Sequence, residues 1–330
     1  MTIVLLLLGC NGQLITLGQA PSSAAAGASA QGGVPADAGS ASGAAGSGES
    51  TGGAEGNAGS AGSAGTQEPL FDPPVLLDAL ASDYEDDNPT LTSDLLEIYF
   101  TSTRAGGPGN ADVWTARRAS PDDPFDAPEP VVEASTDQFD SSPAVEGDGL
   151  TLWVAQSRSD GIGGLDIWRL NRPARGDAWQ APELVPELSS ALDDIPRPTG
   201  NHGLTMPLGS RRAGGMYLSY LATRPSVTSA FGEPVLISEL VTDGSNTADA
   251  FLTADGLTLF FAQAISGSGD LYVAQRADTS SGFESQLALS TINTSADDRD
   301  PWLSPDGTRL YFSSDRDGTL NIYEARRQTE

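Results

Sequence analysis

The chain has 330 residues, enough for one large domain or two small ones, and carries 45 acidic against 17 basic residues for a net charge of -28. Every basic residue is arginine, so no lysine can form a Schiff base, and so acidic a surface repels phosphate backbones and argues against nucleic acid as a partner. One histidine, His202, cannot build a His-rich zinc site, and one cysteine, Cys10, cannot form an intrachain disulfide.

Residues 1–10, MTIVLLLLGC, form a short apolar run ending in Leu7-Leu8-Gly9-Cys10. The run resembles a bacterial lipobox, which implies a signal segment cleaved before Cys10 and lipidation of that cysteine, although no basic residue precedes the apolar run. By the same resemblance Asn11, where an aspartate would favour retention in the inner membrane, points to the outer membrane of a bacterial envelope. Residues 11–68 are mostly Gly, Ala and Ser, without Trp, Tyr or Phe, and cannot bury a core. They read as a disordered tether with a reach of about 40–46 Å, from roughly 5–6 Å times the square root of its length. No apolar run approaches the ~20 residues of a membrane span, so the lipid is the only membrane attachment expected.

From residue 69 to 330 the chain repeats itself. DDNPTLTSDLLEIYFTSTR, FDSSPAVEGDGLTLWVAQSR, TADAFLTADGLTLFFAQAI and DRDPWLSPDGTRLYFSSDR share one pattern around Pro89, Pro143, Ala250 and Pro301, and a worn copy, DDIPRPTGNHGLTMPLGSRR, fills the interval near 197. Each is followed by an element such as ADVWTARR or LNIYEARR. A repeat of roughly 51–54 residues with several short strands indicates a radial β-propeller. Each unit offers an inner strand, a tight turn (Asp-Gly in three copies), a second strand, a Gly-rich turn and a third strand. A fourth appears at 125–134, 179–188, 231–240 and 283–292. The fifth copy lacks one, but residues 71–80, FDPPVLLDAL, repeat that element ahead of the first copy. The fold is therefore read as all-β, a single five-bladed propeller closed by pairing of the strand at about 71–80 with the C-terminal hairpin, since closure removes exposed sheet edges. A six-bladed ring or an open array is the alternative.

DRDPWLSPDGTRLYFSSDRDG followed by NIYEARR resembles the repeat of TolB-type, WD-repeat-like propellers of bacterial envelopes. The resemblance covers residues 71–330 and is weakest in the third copy. It implies a periplasmic or surface-facing scaffold. TolB's sixth blade and N-terminal α/β domain are not evident here, and there is no room for the serine peptidase domain that follows some related propellers.

Two polar features recur. An arginine ends the second strand (Arg104, Arg158, Arg211, Arg316), and an acid or amide opens the third (Asp112, Asp166, Asp270, Asn321). Pairing across the turn, Arg104 with Asp112, Arg158 with Asp166 and Arg316 with Asn321, is expected as a structural clamp. Acids also precede each inner strand, and Asp87, Asp140, Asp194, Asp249 and Asp300 should ring one mouth of the central channel, where crowded carboxylates raise one another's pKa and attract a ligand or a cation such as calcium. No other cofactor is called for. DRDG at 315–318 lacks EF-hand spacing and reads as a hairpin turn. His202 reads as a loop residue in the third copy, whose deviation could mark a partner site.

These readings together describe a monomeric, non-enzymatic, membrane-tethered scaffold that binds a protein, peptide or glycan in the envelope. The alternative is a carbohydrate-active, glycosidase-like enzyme using carboxylates at the central funnel.

Overall fold

The computed structural model describes residues 71–328 except 243 and 266. Cys10 and the tether lie outside the described residues. Five antiparallel sheets follow one another along the chain, and the only helical segments among the described residues are three 3-10 turns.

Blade one is built from Asp86–Leu91, Glu97–Ser102, Asp112–Arg117 and Glu129–Pro130; blade two from Asp140–Val145, Thr151–Gln156, Asp166–Asn171 and Glu183–Leu184. The worn copy forms blade three, Asp194–Pro196, Thr205–Ser210, Leu218–Thr223 and Val235–Leu236. Blade four has a split inner strand, Ser245–Asn246 and Phe251–Leu252, both pairing with Thr258–Ile265, and continues through Ser268–Gln275 to Glu284–Ala288. Blade five has Asp298–Leu303, Arg309–Ser314 and Asn321–Arg326. Its fourth strand is Val75–Leu76, with Val75 opposite Glu324 and Leu76 opposite Tyr323, and a further bridge joins Phe71 to Arg327. The two ends of the repeat region thus close a ring of five.

The outer strands are shorter than the ten-residue segments that the repeat suggested. Proline explains this in four of them, because Pro73 and Pro74, Pro128 and Pro130, Pro182 and Pro186, and Pro234 cannot donate to a ladder and end the pairing early. The fourth blade's outer strand has no proline and runs for five residues.

The inner strands carry the feature that positions the site. Asp87 opposes Thr101 and Thr90 opposes Tyr99, so Asn88 and Pro89 bulge against one residue of the neighbouring strand; blades two and five shift register at the same place. The bulge residue has positive φ in Asn88 (55°), Ser142 (50°), Asp249 (68°) and Asp300 (56°). Short polar side chains tolerate this left-handed conformation best, and proline, having no N–H, fits the next position. The bulge swings these residues toward the axis.

Blades pack through aromatic rings. Tyr99 meets Trp179 edge-on with centroids 6.0 Å apart, and Trp153 meets Phe231 in the same way at 6.0 Å. Such edge contacts add to the apolar area that each blade buries against the next.

Candidate functional site

The acids that precede the inner strands split into two sets. Asp86, Asp140, Asp194 and Asp298 are fully buried and hold the approaching loop. Each receives a hydrogen bond from a Ser or Thr four residues earlier: Ser82 Oγ donates to Asp86 at 2.7 Å, and the backbone N–H groups of Thr136, Ser190 and Thr294 donate to the other three at 2.5–2.8 Å. Asp140 and Asp194 therefore do not belong to a ring at the channel mouth, contrary to expectation.

These loop-holding acids also take the arginines expected elsewhere. Arg104 donates to Asp86 at 2.6 Å and to the Leu80 carbonyl, and Arg316 donates to Asp298 at 2.6 Å and to the Ile292 carbonyl. In blade three the same role falls to Arg212, which reaches Asp194 at 2.7 Å, while Arg211 pairs with Asp193. Blade two uses Gln156 on Asp140, and Arg158 pairs with Asp160 and lies 4.4 Å over the Trp168 ring. None of the cross-turn pairs Arg104–Asp112, Arg158–Asp166 and Arg316–Asn321 forms. Ser102 faces Asp86 on one side and Asp112 on the other, so Arg104 can turn either way. Asp112 accepts the Gly109 N–H of its own turn, Asp166 those of Ile162 and Gly163, and Asn321 that of Ser82. Arg104 and Arg316 turn instead to the acids of the first strand, and Arg158 to the exposed Asp160.

Asp87, Asp249 and Asp300 do converge on the axis, and two arginines meet them there. Arg197 of blade three donates to Asp300 at 2.8 Å and also to Asp249; Arg299 donates to Asp87 at 2.8 Å and lies 3.5 Å from Asp300. Asn88 donates to Asp87 through its side chain at 2.8 Å and to Asp300 through its backbone N–H, and Ser142 donates to Asn88. Arg197, Arg299, Asp87 and Asp300 are each no more than 5% exposed, while the Asp249 side chain keeps 17% of its surface open. This end of the axis is filled by paired charges. Burial pushes Asp249 up to about 7 and Asp87 up to about 6, with Arg197 and Arg299 opposing it; Asp300, held by both arginines, lies below the usual range. No group of three or more His, Cys, Asp or Glu side chains among the described residues is arranged to hold a metal ion.

The other end of the axis is open. A cavity of about 450 Å³ is lined by residues of all five blades, where the inner strands end and turn back. Leu91, Val145, Leu252, Leu303, Phe251 and Trp302 give it an apolar floor, and each of them is at least nine-tenths buried. On its wall Glu146 accepts from Trp153 Nε1 at 2.8 Å and Thr199 Oγ1 at 2.6 Å; burial raises its pKa. Asp255, Asp306 and His202 stand exposed at the rim. Each rim aspartate is set by its own turn: Asp255 Oδ1 accepts from Thr253 Oγ1 and the Leu257 N–H, and Asp306 Oδ1 from Ser304 Oγ and the Thr308 N–H. These bonds hold both carboxyls below the usual range.

His202 sits in the short 3-10 turn Asn201–Gly203 that connects the first two strands of blade three. Asn201, His202 and Gly203 all have positive φ (50°, 54° and 81°), in place of the Asp-Gly turn of other copies. The N–H groups of Asn201 and His202 donate to the carbonyls of Thr253 and Ala254, which stitches this loop to blade four.

A second set of arginines escaped the sequence reading. Arg118, Arg172, Arg224 and Arg276 follow the third strands, and each lies 4.3–4.7 Å over the aromatic ring that precedes the outer strand, Phe125, Trp179, Phe231 or Phe283. Each donates through Nε to the carbonyl of Leu95, Gly149, Gly203 or Gly256 at 2.6–2.8 Å. Arg172 also reaches Glu97 of blade one at 2.5 Å, and Arg118 reaches Tyr311 of blade five at 2.9 Å. The signal was available, because these arginines recur with the repeat.

The structure repeats one antiparallel sheet five times around a ring. Among solved structures the fold is similar to an endo-arabinase from Bacteroides thetaiotaomicron (13% identity, TM-score 0.52, covering 79% of this chain and 98% of that one). It is similar also to a glycosyl hydrolase from Bacteroides ovatus (12% identity, TM-score 0.50, covering 79% and 97%). TolB from Acinetobacter baumannii is 19% identical with a TM-score of 0.48 over 76% of this chain, which spans 57% of that protein's length. No family model matches the chain, and no curated protein matches it.

The filled end can be tested through stability. Arg197→Met leaves Asp249 and Asp300 short of a buried partner and should cost about 3–5 kcal/mol, read by denaturant unfolding at pH 8; a loss below about 1 kcal/mol would mean the pairing is unimportant. The folded pKa values of Asp87 and Asp249 stand above the unfolded value near 4, so the native state holds the extra protons. As far as these two groups go, stability should therefore be greatest below the unfolded value near pH 4 and fall as pH rises from there through 6 and 7. Between pH 5 and 8 the carboxyls held low, such as Asp300, Asp255 and Asp306, are ionised in both states and add no slope. Unfolding midpoints at pH 5 and 8 test this, with a shallower fall expected in Asp249→Asn; a rise in stability over that range would contradict it.

Proposed function

We propose that this propeller is a non-catalytic binding module of the bacterial envelope, seating a protein, peptide or glycan at the open end of its axis. The observation that carries the reading is the inequality of the two ends. One is filled by Asp87, Arg197, Asp249, Arg299 and Asp300; the other is a concave, mostly apolar site with a few polar groups, the usual form of a ligand pocket.

The glycosidase alternative draws support from the fold likeness to two glycoside-cleaving propellers, but the chemistry of the residues favours binding. A glycosidase needs two carboxyls about 5–10 Å apart across an open cleft, one of them protonated as general acid. The axial carboxylates are tied to arginines. In the open cavity Glu146 has both oxygens engaged, and Asp255 and Asp306 are held ionised.

The envelope assignment rests on the lipobox resemblance at Leu7-Leu8-Gly9-Cys10 and on the TolB-type repeat. No helix among the described residues is long and apolar enough to cross a membrane. A lipid on Cys10 would keep the propeller near a membrane, free to turn on its tether, as a monomer without a cofactor. Cys10→Ser should shift the protein from the membrane to the soluble fraction of the cell; unchanged sedimentation with membranes would refute lipidation.

Ala254 is exposed on the cavity wall, so Ala254→Trp should fill the cavity without disturbing the core. Screened against a glycan array and a panel of envelope-protein peptides, the native chain should bind members that the variant binds at least about tenfold less well, with unchanged unfolding. Equal binding by both proteins would place the ligand elsewhere.

A further inference from the structure

The cavity is apolar at its floor and acidic at its rim. Asp255 and Asp306 come from the turns of adjoining blades four and five, both are exposed, and both line the opening. Each uses Oδ1 to accept the bonds of its own turn, and among the described residues the Oδ2 of each accepts no hydrogen bond. Two carboxylates are thus ionised, fixed in place by their turns, and left with one acceptor oxygen apiece. None of the chain's 17 arginines lines the cavity, although His202 stands at the same rim and the Arg327 guanidinium comes near Gly307, next to Asp306. Beneath them lie Leu91, Val145, Leu252 and Leu303, together with Phe251 and Trp302.

We infer that the ligand is a peptide segment that sets an apolar side chain into the cavity and a basic residue beside it at the rim, where the guanidinium or ammonium group meets Asp255 and Asp306. This rests on the cavity being the binding site, as proposed above. Three observations point to it. The order of polarity from floor to rim matches an apolar anchor with a cationic flank, the arrangement in which a buried anchor supplies affinity and a peripheral charge supplies register. The net charge of -28 draws a positively charged partner toward the protein over distances well beyond contact. The two aromatic residues of the lining, Trp302 at 4% and Phe251 at 9% exposure, have their rings packed against each other, and Trp302 also packs against Tyr311. They present no open face on which a sugar ring could stack, which favours a peptide over a glycan.

Three synthetic peptides test the inference on the full chain by isothermal titration calorimetry: acetyl-Gly-Ser-Arg-Leu-Arg-Ser-Gly-amide, the same peptide with both arginines replaced by glutamine, and the same with leucine replaced by serine. The first should bind at least about tenfold more tightly than either of the others, since a charge-assisted pair and a buried anchor are each worth a factor of that order. The double variant Asp255→Asn/Asp306→Asn should weaken the arginine peptide by a similar factor and leave the glutamine peptide unchanged. Glu133→Gln/Asp137→Asn, which removes the same charge from exposed positions outside the cavity lining, should weaken it less than about twofold. Equal affinity for the three peptides, or equal effects of the two double variants, overturns the inference and leaves only non-specific attraction to an acidic protein. Failure of all three to bind, together with a glycan or neutral peptide whose binding Ala254→Trp abolishes, also overturns it but leaves the cavity as the site. Tight binding of the arginine peptide that Ala254→Trp does not touch overturns both.

Discussion

Five inner strands share one axis, and at an axis a repeat multiplies whatever polar group it carries. A bulge that aims a carboxylate inward once per blade would crowd five like charges into a space without water, where each raises the pKa of the others and none can be solvated. The chain meets this constraint by breaking the repeat. Blades one and two put Asn88 and Ser142 at the bulge; blades four and five keep Asp249 and Asp300; and blade three sends Arg197 from the position that holds Pro89, Pro143, Ala250 and Pro301 in the others. Arg299, standing where blade one has Asp87, supplies the second positive charge. The copy most worn in sequence is thus the one that compensates the axis, and its divergence has an electrostatic reason.

The same constraint explains what was legible in the sequence. Fold and closure could be read because they depend on local features that recur: a strand of alternating character, a turn, a displaced FDPPVLLDAL that fits only beside the final hairpin. Contacts between side chains could not be read to the same depth. Recurrence of Arg104, Arg212 and Arg316 says that each makes a repeated contact without saying on which side of its strand. In blades one and five the acid of the first strand takes the arginine, while Asp112 and Asn321 bond their own surroundings. In the same way Asp87 and Asp86 are adjacent in sequence yet serve the axis and the loop, because neighbours along a strand face opposite sides. The open cavity was invisible for a different reason. Its lining is drawn from five segments, most of them ordinary turns, and only ring closure brings them together.

Cohesion between blades rests on a device that the period itself carries. In blades one to four an arginine that follows the third strand lies over the aromatic ring that precedes the outer strand and bonds the carbonyl of the turn between the first two strands, so one guanidinium joins three parts of a blade. Where it also reaches a neighbouring blade, as Arg172 does at Glu97 and Arg118 at Tyr311, it links sheets as well. Arginine suits this work better than lysine, since its planar group can stack and donate at the same time, and the chain has no lysine to substitute. The Arg118 contact spans the seam between blade five and blade one, so the ring is held at its closure by a side chain as well as by the short pairing of Val75–Leu76.

The two ends of the axis differ finally in what a substitution would disturb. At the filled end the polar side chains are shared between elements: Asp87 is bonded by Asn88 beside it and by Arg299 of blade five, and Asp300 by residues from three blades. Altering one of them strands a buried partner. At the open end the side-chain bonds of the rim aspartates are closed within single turns, as Thr253 with Asp255 and Ser304 with Asp306, and turns are joined to one another by backbone, from Ser93 to Gly147 and from His202 to Ala254, and by the bond from Thr199 to Glu146 deeper in the wall. Rim side chains can therefore change without unmaking the ring. A scaffold that must stay closed while its recognition surface adapts needs that separation, with obligations concentrated at one end and latitude at the other. That separation supports the proposal that ligand binds where the turns are, while the paired charges at the opposite end let five strands meet at one axis.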